Sequence, residues 1–92
     1  MNIYTVTAIT RERHEGLRCF GWYDSFEKAE LAVLENRCDI HECWYHYVVI
    51  EKFNEGIHPV AFEQSWYIWD GEGYKKSEKP VKFNSIVNFG LG

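Results

Sequence analysis

The stretch Trp44-Tyr-His-Tyr-Val-Val-Ile-Glu-Lys-Phe53 is the strongest predicted β-strand of the chain and decides the fold class. Aromatic and β-branched residues dominate it, and both types favour extended backbone on a pleated surface. Strand alternation assigns Trp44, His46, Val48 and Ile50 to one face, and Tyr45, Tyr47, Val49 and Phe53 to the other. Because both faces are largely apolar, we expect this strand to lie in the centre of a sheet.

Four further strands are predicted on either side of this stretch. They are Asn2 to Thr10, Leu17 to Tyr23, Gln64 to Trp69 and Tyr74 to Lys76. In the second of them, alternation puts Phe20 and Trp22 on one face and Tyr23 on the other. Asp70-Gly71 is typical of a tight turn, so the last two strands should form a hairpin.

One helix is predicted, from about Ser25 to Asn36. Asp24 and Ser25 are both able to cap its N-terminus, and Asp24 with Glu27 has the spacing of a capping box. At 100° per residue the buried stripe consists of Phe26, Ala29 and Val33, with Leu34 at its flank and Leu31 on the opposite, solvent-facing side.

The element order β-β-α-β-β-β predicts a single α+β domain over residues 1–92, with an antiparallel sheet of four or five strands. The helix, about residues 25–36, would pack on one face of that sheet. Aromatic residues make up 17% of the chain, more than one face can hide. The other face should therefore be shielded by the C-terminal segment, by a second subunit or by a ligand. The pattern over Val81 to Phe89 is ambiguous between a short helix and an extended tail.

Charge and composition exclude some classes of protein. The net charge is −4, so nonspecific binding to duplex DNA is not expected. No apolar run approaches the roughly 20 residues of a membrane span, and the N-terminus lacks a signal-peptide pattern. Three cysteines, Cys19, Cys38 and Cys43, are an odd number without such a signal, which predicts reduced thiols and a cytoplasmic location.

The aromatic residues form the most informative pattern. Tyr45 and Tyr47 share a predicted strand face, as do Tyr67 and Trp69. Such rows occur in cores, in oligomer or partner interfaces, and in sites that stack nucleobases. The candidate ligand or interface residues are Tyr45, Tyr47, Tyr67, Trp69, Tyr74, Lys75, Lys76 and Lys79. The lysines of the 75–82 region carry a local positive charge, so a small-molecule ligand should be anionic and bind near this end.

Four possible metal ligands, Cys38, His41, Cys43 and His46, lie within nine residues. Their spacing argues against zinc, since structural sites usually take ligand pairs from two separated segments. A strand would also send Cys43 and His46 to opposite faces. Cys38 with His41 has the residue types of a thiol nucleophile, but it follows a helix C-terminus, where the dipole disfavours a thiolate. No cofactor is therefore predicted.

Three stretches together carry a family resemblance: Asp24-Ser-Phe-Glu-Lys-Ala-Glu30, Trp66-Tyr-Ile-Trp-Asp70 and Asn88-Phe-Gly-Leu-Gly92. They resemble a group of short uncharacterised proteins from bacteria and their phages that end in a similar Asn-Phe-Gly-aliphatic-Gly tail. The resemblance spans nearly the whole chain. It implies an intracellular accessory protein of mobile-element type and carries over no functional residue.

The sequence therefore predicts a non-enzymatic binding protein that self-associates, as a homo-oligomer, through an aromatic sheet face. A protein partner or an anionic small molecule is expected, and neither a membrane nor duplex DNA. One alternative is a nucleotide-binding or sequestering protein that uses the aromatics and the Lys75–Lys82 end. The other is a small thiol- or metal-dependent enzyme.

Overall fold

The structure, a computed structural model, describes residues 2–11, 16–37, 40–41, 45–54, 61, 63–83 and 88–90. These residues form one antiparallel sheet of five strands with one α-helix packed on one face, which confirms the predicted α+β class. The sheet order β2-β1-β3-β4-β5 puts β3 in the centre, as its two apolar faces predicted. The elements are β1 (Asn2–Thr10), β2 (Leu17–Tyr23), α1 (Phe26–Leu34), β3 (Tyr45–Asn54), β4 (Glu63–Trp69), β5 (Tyr74–Ser77) and a 3-10 turn (Val81–Phe83).

Helix α1 is shorter than predicted at both ends. Ser25 is its N-cap, with extended backbone and an Oγ that accepts a hydrogen bond from the Lys28 N–H at 3.2 Å. The Asp24 carboxylate instead accepts a hydrogen bond from Lys28 Nζ at 2.8 Å. The helix ends before Asn36, whose φ of 50° lies in the left-handed region that stops helices.

The side of the sheet under α1, which we call the helix face, carries the larger core. Ala29, Ala32 and Val33 are the buried residues of the helix, and Leu31 is 47% exposed, as its position on the helical wheel predicted. Leu34, at the flank of the stripe, is 49% exposed. The buried cluster consists of Val6, Ala8, Ala29, Val33, Ile40, Val48, Ile50, Tyr67 and Tyr74.

The opposite side, which we call the tail face, is covered in part by the C-terminal segment. We call residues 81–83 and 88–90 the tail. Its Phe83 and Phe89 are buried in one cluster with Ile9, Val49 and Trp66. The C-terminal segment, one of the possible shields expected from the sequence, therefore lies on this face.

Two irregularities in strand pairing overturn the predicted face assignments. Between β1 and β3, Ile9 pairs with Tyr47 and Thr10 with Tyr45, so His46 is an extra residue. As a result Tyr45 packs on the helix face and Tyr47 on the tail face, and the predicted shared face is wrong.

The second irregularity lies between β1 and β2. Val6 pairs with Gly21 and Thr7 with Cys19, which makes Phe20 the extra residue. Phe20 and Tyr23 consequently both pack against the helix-face core, contrary to the prediction from alternation. Gly21 has a φ of 156°, in the region that favours glycine, and so allows the backbone to accommodate the bulge.

Candidate functional site

Two of the predicted aromatic site residues belong to the core. Tyr67 is fully buried and its hydroxyl donates to Glu30 Oε2 at 2.6 Å. Tyr74 is 1% exposed and donates to the Tyr45 carbonyl oxygen at 2.6 Å. Burial raises the pKa of both hydroxyls, and for Tyr67 the bond to Glu30 raises it further. These side chains hold the sheet together and leave no open ring surface for a base to stack on.

The predicted pair Tyr45 and Tyr47 is divided between the two faces. The Tyr45 ring meets Phe20 edge-on at 5.6 Å, on the helix face. The Tyr47 ring meets Phe83 edge-on at 5.4 Å, on the tail face. The two rings therefore do not form a continuous stacking row.

Of the three predicted lysines, Lys76 and Lys79 line one cavity along β4 and β5, although their ammonium groups contact different neighbours. Lys76 Nζ lies 3.9 Å from Glu30 Oε2, beside the helix. Lys79 Nζ lies 5.8 Å from the centre of the Phe89 ring, on the tail face. Lys75 is exposed on β5, and its charge contributes to the lowered pKa of Asp70 in the adjacent turn.

Trp69 borders an open cleft whose lining includes an arginine and two histidines. The cleft has a volume of about 510 Å³ and lies at the end of the sheet where β1 and β4 finish and β3 begins. Its lining residues are Arg11, His41, His46, Trp69, Asp70 and Gly71. Antiparallel pairing thus brings together three separate parts of the sequence, namely Arg11, the two histidines and Trp69–Gly71.

A stacked pair of rings forms one wall of this cleft. The Trp69 and His41 rings are nearly parallel, at 8°, with their centres 3.9 Å apart. His41 Nδ1 lies 3.3 Å from the Tyr45 carbonyl oxygen, and because a carbonyl only accepts, Nδ1 carries the hydrogen. The Tyr74 ring meets Trp69 edge-on at 5.1 Å. Contacts with His41 and Tyr74 therefore hold the Trp69 indole in place, and His41 is itself held by the Tyr45 carbonyl.

Arg11 and His46 also line the cleft, and Lys82, outside the lining, lies next to Arg11. An Arg11 guanidinium nitrogen lies 3.5 Å from His46 Nδ1, and Lys82 Nζ donates to the Arg11 carbonyl oxygen. Burial lowers the pKa of His46, and the nearby charges of Arg11, Lys82 and His41 lower it further. A neutral His46 is able to accept the Arg11 hydrogen bond, whereas a protonated ring would repel the guanidinium.

Asp70 is the acidic residue of the cleft lining, and its carboxylate is engaged within the turn. It accepts hydrogen bonds from the N–H groups of Glu72 and Gly73 at 2.9 and 3.0 Å. Those two bonds hold the pKa of Asp70 below its ordinary value of 3.8. Asp70 therefore stays ionised, and one of its carboxylate oxygens accepts both hydrogen bonds from the backbone of the hairpin.

The predicted metal ligands are only partly described. Cys38 and Cys43 lie outside the described residues, while His41 and His46 both border the cleft. Within the described ranges, no group of three or more His, Cys, Asp or Glu side chains is arranged to hold a metal ion. The described thiol, Cys19, is exposed on β2.

Two other cavities differ from this cleft in their lining. One, of about 260 Å³, lies between β2 and the end of α1 and is mostly apolar, with Arg37 paired to Glu35 at its edge. The other, of about 530 Å³, runs along β4 and β5 beside Trp66, and its lining combines Lys76 and Lys79 with Glu78.

A buried acid on the tail face was missed from the sequence. Glu51 is 0% exposed, and its carboxylate accepts hydrogen bonds from the backbone N–H groups of Phe89 and Gly90 and from the Gln64 amide. Burial raises its pKa despite these bonds, which favour the ionised form. The sequence does indicate that this side chain is buried, since strand alternation puts Glu51 on the same apolar face as Val49 and Phe53.

Arg11 was missed for a different reason. It stands in a polar segment after β1, and nothing in its local sequence connects it with His46 or Trp69. Their proximity depends on strand order alone.

The helix of the described residues is too short and too polar to cross a membrane. No protein-family model matches this chain, no curated protein is recognisably similar to it, and no solved structure matches its fold.

Proposed function

We propose that this chain is a small non-enzymatic binding protein and that the cleft beside Trp69 takes up an anionic ligand. The observation that carries the proposal is the proximity of two cations, Arg11 and Lys82, beside a neutral His46, at one end of a chain whose net charge is −4. Cations held close together repel one another, and a bound anion relieves that repulsion. Burial lowers the pKa of His46, and the nearby charges of Arg11 and Lys82 add to this lowering.

A phosphate-bearing ligand with an aromatic ring fits this cleft best. Arginine donates to two phosphate oxygens at once, and lysine adds a point charge. The stacked Trp69–His41 wall offers aromatic surface next to these cations. Nucleotides combine a phosphate with a flat ring, so they match both halves of the site. A nucleotide ligand was one alternative predicted from the sequence. The proposal keeps that ligand class but places its site at Arg11 and His46 and not at the lysines of β5.

The experiment follows tryptophan emission and ¹H–¹⁵N NMR shifts during titration with inorganic phosphate, adenosine monophosphate and uncharged adenosine. Phosphate and adenosine monophosphate should shift the signals of Arg11, His46 and Trp69, and adenosine alone should bind more weakly than either. Arg11→Met should weaken binding about three- to fivefold, the range expected for one exposed ion pair. Arg18→Met, an exposed arginine on β2, is the matched control.

The proposal fails if millimolar phosphate and millimolar adenosine monophosphate leave these signals unchanged at low salt. It also fails if Arg18→Met weakens binding as much as Arg11→Met, because binding would then reflect overall charge. Raising the salt should weaken binding, since the site is open to solvent and its charges are screened.

Self-association is a second candidate function, favoured by apolar side chains that remain exposed on β2. Trp22 is 57% exposed and Leu17 is 47% exposed, and both pair with residues of the tail face. A second copy that covers this part of the sheet would bury both. Light scattering at micromolar concentration tests the idea. Trp22→Ser should reduce the apparent mass and Leu31→Ser on the helix should not, and a strict monomer excludes this candidate.

A further inference from the structure

Lys82 is the residue that joins the tail to the cleft. It lies in the 3-10 turn Val81–Phe83, which is closed by a hydrogen bond from the Phe83 N–H to the Pro80 carbonyl at 2.9 Å. Its Nζ donates to the Arg11 carbonyl oxygen and lies 4.9 Å from the centre of the Tyr47 ring. One of the cations near His46 is therefore supplied by the C-terminal segment and not by the sheet.

The far end of the tail is held on the sheet by directional contacts. The Glu51 carboxylate accepts from the Gly90 N–H at 2.8 Å and from the Phe89 N–H at 3.0 Å. A Cβ added to Gly90 would lie 2.9 Å from the hydroxyl oxygens of both Thr5 and Thr7. Such an approach is too close for any side chain, so position 90 accepts only glycine without displacement of the tail.

A cluster of rings connects the two ends. Phe89 and Phe83 lie 5.9 Å apart between ring centres, and both contact Trp66, at 5.1 and 5.6 Å. Phe83 also meets the Tyr47 ring at 5.4 Å, next to Lys82. Because these rings are buried and close-packed, a displacement of Phe89 opens a void beside Phe83 and loosens the turn that carries Lys82.

We infer that Gly90 and Glu51 are positioning residues for the cleft, because docking of the tail holds Lys82 beside Arg11. The consequence for ligand affinity rests on the proposed function, whereas the position of Lys82 is independent of it. Tail docking and anion binding are then linked, since each favours the same placement of the Lys82 ammonium.

His46 is a reporter of where the Lys82 charge lies. Its ring faces Arg11 at the end of β1, Lys82 from the tail, His41 before β3 and Asp70 in the β4–β5 turn. Lys82→Met removes one of these cations and should raise the pKa of His46, measured by NMR titration of the ring protons. If the tail positions Lys82, Gly90→Ala should raise the pKa of His46 as well. The double variant Lys82→Met/Gly90→Ala should show no further rise.

Matched controls separate this effect from general disturbance of the fold. Gly73→Ala introduces a Cβ with no atom within 4 Å and should leave the pKa of His46 at the wild-type value. If Gly90→Ala does not fold, Phe89→Leu, which keeps an apolar side chain, replaces it. This variant should likewise raise the pKa of His46, with no further rise when it is combined with Lys82→Met. A wild-type pKa of His46 in the tail variant overturns the inference, and so does an additive rise in the double variant.

The second readout is affinity for inorganic phosphate. Lys82→Met and Gly90→Ala should each weaken binding about threefold, and the double variant should be no weaker than Lys82→Met alone. If the wild-type protein binds no phosphate, the proposed function fails while the His46 titration still decides the role of the tail. If phosphate binds and Gly90→Ala has wild-type affinity, the proposed function stands and the positioning role is excluded.

Discussion

The two faces of the sheet are covered in different ways. On the helix face, α1 contributes small and branched apolar side chains at helical spacing, among them Ala29 and Val33. On the tail face, an irregular segment contributes two rings, Phe83 and Phe89, and is tied down through the buried carboxylate of Glu51. One cover depends on a repeating pattern, and the other depends on a few individual contacts.

This difference has consequences for how each face tolerates change. Apolar burial is non-directional, so a helix that loses one contact keeps the others. A buried acid that serves two backbone N–H groups is directional, and its removal leaves those groups without partners in an apolar surrounding. The tail face should therefore respond more strongly to single substitutions than the helix face.

The largest expected effect comes from Glu51→Ala. It removes the acceptor for the N–H groups of Phe89 and Gly90 and should lower the free energy of unfolding by about 2–4 kcal/mol. Urea unfolding followed by tryptophan emission measures the loss. A loss no larger than that of the helix variant described next would contradict the contrast between the faces.

A smaller effect is expected on the helix face from Ser25→Ala. The Ser25 hydroxyl caps α1 by accepting the Lys28 N–H, so its removal should lower the free energy of unfolding by about 1 kcal/mol. Asp24→Ala is the control, because its ion pair with Lys28 is fully exposed and adds little. If Asp24→Ala proved the more damaging of the two in the same urea assay, the assignment of Ser25 as the cap would be wrong.

The smallest expected effect is a pH dependence of the free energy of unfolding, caused by Glu51 on the tail face. Burial raises the pKa of Glu51 above its ordinary value of 4.5, so the native protein keeps this proton to a higher pH than the unfolded chain does. The resulting stabilisation is full below the unfolded pKa and is lost as the pH rises through the native pKa. Relative to Glu51→Gln, which does not titrate, wild type should gain unfolding free energy as the pH falls from about 7 to about 4.

Urea unfolding of both proteins across this pH range provides the measurement. Titration of His46 is common to wild type and Glu51→Gln and cancels in the difference. Ser25→Ala should show no such trend against wild type, because its effect lies on the helix face. A difference between wild type and Glu51→Gln that stays constant with pH would mean that Glu51 titrates normally in the native state.

Much of the fold could be predicted because its signals are local. The bounds of β1 and β2 match the predicted strands, and Trp44 to Phe53 correctly indicated a central strand. The face assignments failed at Phe20 and His46, where one extra residue shifts the pairing. Aromatic residues stand at or beside each bulge, and both faces of the sheet can bury aromatic side chains. A shift by one residue therefore leaves no strong signature in the sequence.

The candidate cleft was less predictable than the fold. Trp69 was singled out from the sequence, but its neighbours were expected to be Tyr67 and the lysines of β5. Tyr67 is fully buried, and Lys76 lies beside Glu30 on the helix face. The cleft is lined by Arg11, which is in turn contacted by Lys82, 71 residues away in the chain.

Hydrophobic periodicity and turn chemistry thus determined which segments of this protein are strands, where the helix begins and that β3 is central. These signals act between near neighbours in the chain and need no knowledge of the partner strands. Only the tertiary structure decided what covers the tail face and which charged side chains line the cleft beside Trp69. Such contacts depend on register, on bulges and on the path of the tail, and these are set by long-range packing energies that no short stretch of sequence contains.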